Sequence, residues 1–384
     1  MKTTVASTRR ADVLIVGAGI VGAACAREFA RQGLSVAVIE SGAVGGGATA
    51  ASMGHLLVVD DEAGETTGAG HAEFALSQRS MRLWQDWLDE SAGHGAQVEH
   101  GRCGTLWLAA DDQELALACR KQAWYAARGI AAEVIDATAL AGLEPMLRSG
   151  LAGALRVPGD GRVYPPKVAA HWLQGCELIS GEVIGMDGHS LSLADGRRLW
   201  GGLIVLTAGL ASQRWLPPGW LLPKKGQLAI TQRCVRRNEQ RVTHQLVELG
   251  YIKKAHLADQ DSVSFNVQPR PDGQLLIGSS RQIGRSDAAL DRTMLEAMLA
   301  LACDYLPELA ELGLLRCWTG LRPASRDGQP LIGAHPGHPR VWLACGHEGL
   351  GITTSLATAE LLAQLSLGQP TLLNPAPYAP ARLL

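Results

Sequence analysis

Apolar positions near the start of the chain change period twice within a short span. Residues 12–16 form a β-branched apolar run closed by Gly17, the pattern of a buried parallel strand. Apolar residues then recur at helical spacing over 20–31, and Gly33 stands where a helix C-cap belongs. Residues 35–40 return to strand character, so the opening segment predicts one complete βαβ unit.

Further along, 72–90 and 112–128 read as amphipathic helices, 151–157 as a strand, and 165–174 as a helix entered through proline. Two short runs about Asp195-Gly196 predict a hairpin, and 203–207 is a second buried strand closed by Ala208-Gly209. From 226 to 280 the pattern becomes strand-rich with polar turns such as Pro271-Asp272-Gly273, which suggests a separate antiparallel sheet. A helix over 287–303, strands near Cys317 and Val341, and a last helix over 352–367 complete the reading. The proline-rich segment 370–380 is expected to be irregular and surface-lying. The fold class is α/β with an α+β second domain. A Rossmann-like nucleotide domain is expected from 1–82, 146–220 and 320–384, and a discontinuous substrate domain on an antiparallel sheet from 83–145 and 221–319.

Composition narrows the partners. The 384 residues are 47% hydrophobic with 45 glycines, enough for a large core and two domains. Lys plus Arg total 35 against 37 acids, so no net field steers the chain toward nucleic acid or an anionic membrane, and a small molecule is the default partner. The 8 cysteines are scattered without a CxxC pair or a metal-ligand cluster, which fits a reduced, cytoplasmic protein that binds no metal. The polar N-terminus leads directly into the βαβ unit, so no signal peptide is expected. No apolar run reaches the roughly 18 residues of a spanning helix, although peripheral membrane association stays open.

Gly17, Gly19 and Gly22 form GxGxxG between strand and helix: the first permits the tight turn, the second admits a pyrophosphate, and the third allows close helix packing. Glu40 ends the second strand 23 positions after Gly17, where a carboxylate can accept hydrogen bonds from a ribose. FAD and NAD present the same ADP half to this motif, so it does not choose between them. Residues 44–56, VGGGATAASMGHL, place small residues and hydroxyls straight after Glu40, as suits either a loop passing a ribityl chain or a plain surface loop.

Five blocks occur in order: VGAGIVG at 16–22, GGGATAAS at 45–52, VLTAG at 205–209, PRPDGQLLIGSS at 269–280 and GLRPASRDGQPLIG at 320–333. On these the chain resembles the D-amino-acid oxidase superfamily, in the branch of glycine oxidase, sarcosine oxidase, D-hydroxyproline dehydrogenase and the flavin subunit of hydrogen cyanide synthase. The resemblance implies FAD. It assigns the cofactor to Gly17, Gly19, Ile20, Val21, Gly22, Glu40 and Ser41, to Gly47, Ala48, Thr49, Ser52, Met53 and Gly54, and to Val183, Ala208 and Gly209. The terminal block CGHEGLGITTS at 345–355 adds Gly349, Leu350, Gly351, Ile352 and Thr353, whose backbone donors at a helix start would face the flavin pyrimidine ring.

The same resemblance implies that Arg322 holds the substrate carboxylate, for which a guanidinium offers paired donors. His55 and His347 are further candidates to line the flavin, although a lone histidine is more often a satisfied polar group. Tyr251 falls where relatives place a substrate-contacting tyrosine, beside Lys253 and Lys254, and Lys225-Gly226-Gln227 reads as structural. Glu348 stands where glycine oxidase carries a basic residue, a departure from that activity. Some sarcosine oxidases attach FAD through a cysteine near the substrate arginine; the register puts Gly320 there instead of Cys317, so non-covalent FAD is expected. The implied reaction is oxidation of a small amino or imino acid to the imine by hydride transfer to flavin N5. The wording ATAASMGHLLVV at 48–59 most resembles D-hydroxyproline dehydrogenase and cyanide-synthase-like subunits, which favours a D-proline-like substrate and an electron-accepting partner subunit or quinone. Glycine, sarcosine or another D-amino acid is the alternative substrate. The rival functions are an FAD-bearing subunit without independent activity and an NAD-dependent dehydrogenase.

Overall fold

The computed structural model describes residues 9–58, 68–90, 92–233, 242–250 and 260–384. In chain order its strands are β1 (Arg9–Val16), β2 (Val36–Glu40), β3 (His55–Leu56), β4 (Thr105–Ala109), β5 (Glu133–Asp136), β6 (Gly153–Val157), β7 (Gly161–Arg162), β8 (Glu177–Ser180), β9 (Val183–Met186), β10 (Ser190–Leu193), β11 (Arg198–Leu206), β12 (Leu221–Thr231), β13 (Gln245–Glu248), β14 (Ser262–Pro269), β15 (Leu275–Ile283), β16 (Leu314–Ser325), β17 (Leu331–His335) and β18 (His338–Cys345).

The first sheet grows around β1, whose Val13, Leu14 and Ile15 are buried. A strand buried on both faces also needs partners on both edges, and β1 lies parallel between β2 and β11, with Val16 opposite both Ile39 and Leu206. The order β17-β18-β11-β1-β2-β8 follows, with β10 and β9 continuing antiparallel from β11 about the Asp195-Gly196 turn. The helix Ile20–Arg31 presents Ala23, Ala24, Ala26 and Phe29 to the core and packs on the last helix, Gly351–Ser366. The long helix Gly68–Glu90 packs on that last helix from another side.

The second sheet runs β16-β12-β15-β14-β13-β4-β6-β5. It departs from the sequence reading in two ways. β6 lies within the 146–220 segment expected in the nucleotide domain, yet it is hydrogen-bonded between β4 and β5 here. And β13 pairs parallel with β4, so the sheet is mixed: strands so far apart in sequence are not bound to the antiparallel geometry that a short hairpin imposes.

Boundaries moved for local reasons. The helix expected from 287 begins at Arg292, because Asp291 takes the N-cap and accepts from the Met294 N–H at 3.1 Å, while Asp287 pairs with Lys225 at 2.7 Å. The segment 370–380 forms only short 3₁₀ turns, but it is not confined to the surface. Tyr378 is 1% exposed and its hydroxyl donates to the Ala72 carbonyl at 2.6 Å. Among the described residues no helix is long and apolar enough to cross a membrane, and no cluster of His, Cys, Asp and Glu is placed to hold a metal ion.

Candidate active site

The carboxyl ends of β1 and β2 open onto a cavity of about 1410 Å³, which continues beneath one face of the second sheet. That is the crevice where open α/β sheets take their ligands, and it exceeds the roughly 300–1,000 Å³ of a site for one drug-sized molecule.

The phosphate end is built by close approach. Gly17 has φ +107°, and a Cβ on Gly22 would stand 2.0 Å from the Gly17 carbonyl oxygen, so neither position accepts a side chain without moving backbone. Gly19 caps the helix Ile20–Arg31 without a capping side chain, and the Ile20 N–H donates to Thr49 Oγ1 at 3.0 Å. Glu40 ties the turn together: one carboxylate oxygen accepts from the Ala18 N–H at 2.7 Å and the other from the Gly42 N–H at 2.7 Å. A backbone cradle at a helix N-terminus, beside a fixed carboxylate, fits the diphosphate and ribose of a dinucleotide.

Nearly every sequence-predicted cofactor position meets in this cavity. Gly17, Gly19, Ile20, Val21, Glu40 and Ser41 line one end. The segment Gly47, Ala48, Thr49, Ser52, Met53 and Gly54 lines one wall, and Val183, Ala208 and Gly209 another. Gly349, Leu350, Gly351, Ile352 and Thr353 line it from the start of the last helix, where no side chain caps the first turn. Gly22 stands behind the turn and acts through packing. Thr353 Oγ1 donates to the His55 carbonyl at 3.0 Å, fastening that helix start to the loop.

Both candidate histidines line the cavity, and burial pulls each down to about 4, so both are neutral at pH 7. His347 Nε2 bonds Thr358 Oγ1 at 3.0 Å, inside the last helix. His55 is different. The Asn266 amide donates to its Nε2 at 3.2 Å, which puts the ring proton on Nδ1. Among the described residues neither that Nδ1 nor the buried Asn266 Oδ1 meets a partner at hydrogen-bond geometry, although the Gln245 side chain lies close enough to His55 to interact with it.

Arg322 lies on β16 and lines the cavity, its Nη1 donating to the Ser280 carbonyl at 3.1 Å. Gly226 makes room for it: a Cβ there would sit 2.6 Å from Nη1. Gly226 was expected to be structural, and its partner could be found only from the β12–β16 register, which sets Gly226 opposite Gly320 and Lys224 opposite Arg322. Sequence reading also passed over Arg281, Asn266 and Trp107, which line the same cavity. Alternation along β14 and β15 offered a signal, but not which face would be inward. Tyr251, with Lys253 and Lys254, lies outside the described residues.

Comparison with known proteins matches residues 12–365 to the family model described as DAO, FAD dependent oxidoreductase. The chain belongs to this family. Its cofactor is therefore FAD, and the βαβ unit that left FAD and NAD open serves an FAD-dependent oxidoreductase. The chain is 31% identical to glycine oxidase of Pseudomonas aeruginosa, over 96% of its own length and 98% of that protein's. It is 27% identical to hydrogen cyanide synthase subunit HcnC of the same organism, over 97% and 96%. The crystal structure of glycine oxidase from Geobacillus kaustophilus superposes with a TM-score of 0.83 at 25% identity, covering 97% of this chain and 98% of that one.

Proposed function

We propose that this DAO-family protein oxidises a small amino or imino acid to the imine, with Arg322 anchoring the substrate carboxylate. The observation that carries the reading is the guanidinium on the sheet face that closes the same cavity as the dinucleotide turn. Bound FAD supplies the acceptor for the α-carbon hydride. The chain supplies position: Arg322 fixes the carboxylate, and with it the direction of the α-carbon hydrogen. Glu40 takes the ribose, and the uncapped first turn of Gly351–Ser366 offers backbone donors where negative charge grows on reduction. His55 Nδ1 is the neutral donor best placed for a cofactor or substrate oxygen. Both histidines are neutral at pH 7 and, lying near 4, are weak bases, so the substrate amine must lose its proton to solvent before the hydride leaves.

FAD is held without a covalent bond. Cys317 packs against the second-sheet core and is not among the cavity-lining residues, whereas Gly320 lines it with its Cβ position 2.5 Å from Ala51 Cβ. A D-proline-like ring suits the apolar wall of Met53 and Leu228, and similarity to glycine oxidase supports glycine as the second reading. Similarity to a subunit of hydrogen cyanide synthase supports a partner subunit, which we propose takes the electrons, with quinone as the alternative acceptor.

Anaerobic mixing of the holoprotein with D-proline, D-hydroxyproline, glycine, sarcosine and other D-amino acids tests the reaction through loss of oxidised-flavin absorbance. Bleaching fastest with the cyclic D-imino acids is expected, and a flavin that none of the panel bleaches would refute the reading. Comparing oxygen uptake with quinone-dye reduction on the best substrate then distinguishes oxidase from dehydrogenase.

A further inference from the structure

The sheet face over the cavity is strongly basic. Lys224 and Arg322 are register partners across β12 and β16, so their side chains share a face. Lys224 is also opposite Ile283 on β15, and alternation puts Arg281, two residues earlier, on that face as well. Lys224, Arg281 and Arg322 thus share one sheet face, and Arg281 and Arg322 line the cavity where the substrate reading places a single carboxylate.

Glu348 pairs with two of them. Glu348 reaches in from the turn before the last helix, with Oε2 at 2.9 Å from Lys224 Nζ and Oε1 at 3.8 Å from Arg281 Nη2. Its side chain is 23% exposed and lines the cavity beside Arg322. The backbone there is unusual, with φ +49°, a left-handed conformation that a glutamate adopts only when its surroundings impose it. The Glu348 N–H donates to the Pro323 carbonyl at 2.9 Å, next to Arg322, which fixes the turn in that pose. A glycine would meet the backbone demand at 348 without strain, so the glutamate costs backbone energy that its ion pairs offset.

We propose that Glu348 is a specificity-determining residue: it fills a second anion position beside Arg322 from the protein side, and so excludes substrates that carry a second carboxylate. The inference rests on Arg322 as the carboxylate anchor and names the substrate class for that site, a monocarboxylate whose remainder is neutral. A second carboxylate would meet Glu348 as a like charge and find Lys224 and Arg281 already compensated. A hydroxyl at the same place could donate to Glu348 without penalty. Removing the Glu348 charge would lift that repulsion and take from Lys224 Nζ the carboxylate it meets at 2.9 Å, so a second carboxylate would bind better.

Propionate and succinate differ by one terminal carboxylate and serve as matched probes. Their Kd values for the oxidised holoprotein are read from the shift of flavin absorbance, which needs no turnover. The wild type is expected to bind propionate more tightly. In Glu348→Gln, and in Glu348→Gly, which suits the left-handed backbone, the succinate Kd should fall by about tenfold or more while that of propionate changes less than about threefold. A succinate-to-propionate ratio within about twofold of wild type in both variants, with intact holoprotein spectra, would overturn the charge filter and leave the Arg322 reading standing. If neither carboxylate perturbs the flavin, the anchoring role of Arg322 fails and the filter falls with it.

Discussion

Arg322 and Gly226 form one unit at the residue scale. Truncating Arg322 to Ala removes paired donors that no neighbour on β16 can replace, so kcat/KM for the best substrate should fall by about 10²-fold or more while FAD content is unchanged. Full turnover by an FAD-loaded Arg322→Ala protein would remove this arginine from the site. Gly226→Ala separates stability from function more finely. The added Cβ meets Nη1 at 2.6 Å, Nη2 at 2.7 Å and Cζ at 2.8 Å, all at the mobile end of a side chain. The fold can relieve that contact by moving the guanidinium, so the Tm should hold within a few degrees. The guanidinium then points wrongly, and substrate Kd in the reductive half-reaction should rise by about tenfold.

Titration is also a residue-scale matter. His347 sits near 4 when folded and near 6.5 when unfolded, so between those values the unfolded chain binds more protons. Its folded pKa is depressed, and the stability this histidine lends at pH 7 is lost as pH falls from 6.5 towards 4. The loss at pH 4.5 is about 2–3 kcal/mol for this one group. Thermal unfolding from pH 7 to pH 4.5 should therefore lower the wild-type Tm more steeply than that of His347→Gln, which can keep a polar contact to Thr358 and does not titrate. Parallel slopes for the two proteins would show that the ring is not buried as described.

Elements carry a different kind of information. The βαβ unit was legible because glycine spacing, apolar period and the closing acid all constrain one short segment, and the helix Ile20–Arg31 falls where the period predicts. The last helix was legible for the same reason. Sheet membership was not, since an apolar run such as β6 reads the same beside β4 as beside β8. Nor were the residues that line the cavity with Arg322: Arg281 and Asn266 flank a recognised block, yet strand alternation leaves their face undecided until the β14–β15 register is known. Tyr378 shows the converse, a buried anchor inside a tract that composition marks as loop. Caps are the cheapest elements to test. Asp291→Ala removes the N-cap of Arg292–Tyr305, and with it a stability of about 1 kcal/mol, by urea unfolding; an unchanged midpoint would contradict the capping role.

At the scale of the whole molecule, the two sheets contribute to one cavity, and the proposed cofactor site spans both. Strands from the nucleotide sheet supply the phosphate turn, while β12, β14, β15 and β16 supply the opposite wall. A ligand bridging those walls binds the native state and not the unfolded chain, so it stabilises by RT ln(1 + [L]/Kd), about 4 kcal/mol at a thousandfold excess over Kd. For a chain of 384 residues that corresponds to a Tm rise of about 3–5 °C. FAD held without a covalent bond should leave the protein on acid or high-salt treatment and appear quantitatively as free flavin. Titrating FAD back should then raise the Tm progressively with concentration. The same titration on Gly22→Ala should give no rise, because its Cβ would meet a backbone carbonyl at 2.0 Å and the cradle cannot re-form around it. A flavin that stays with the denatured chain would refute non-covalent binding. A Tm indifferent to added FAD in the wild type, with Gly22→Ala behaving identically, would mean that the glycine turn does not hold the cofactor at all, and that the shared cavity is not what joins the two sheets in function.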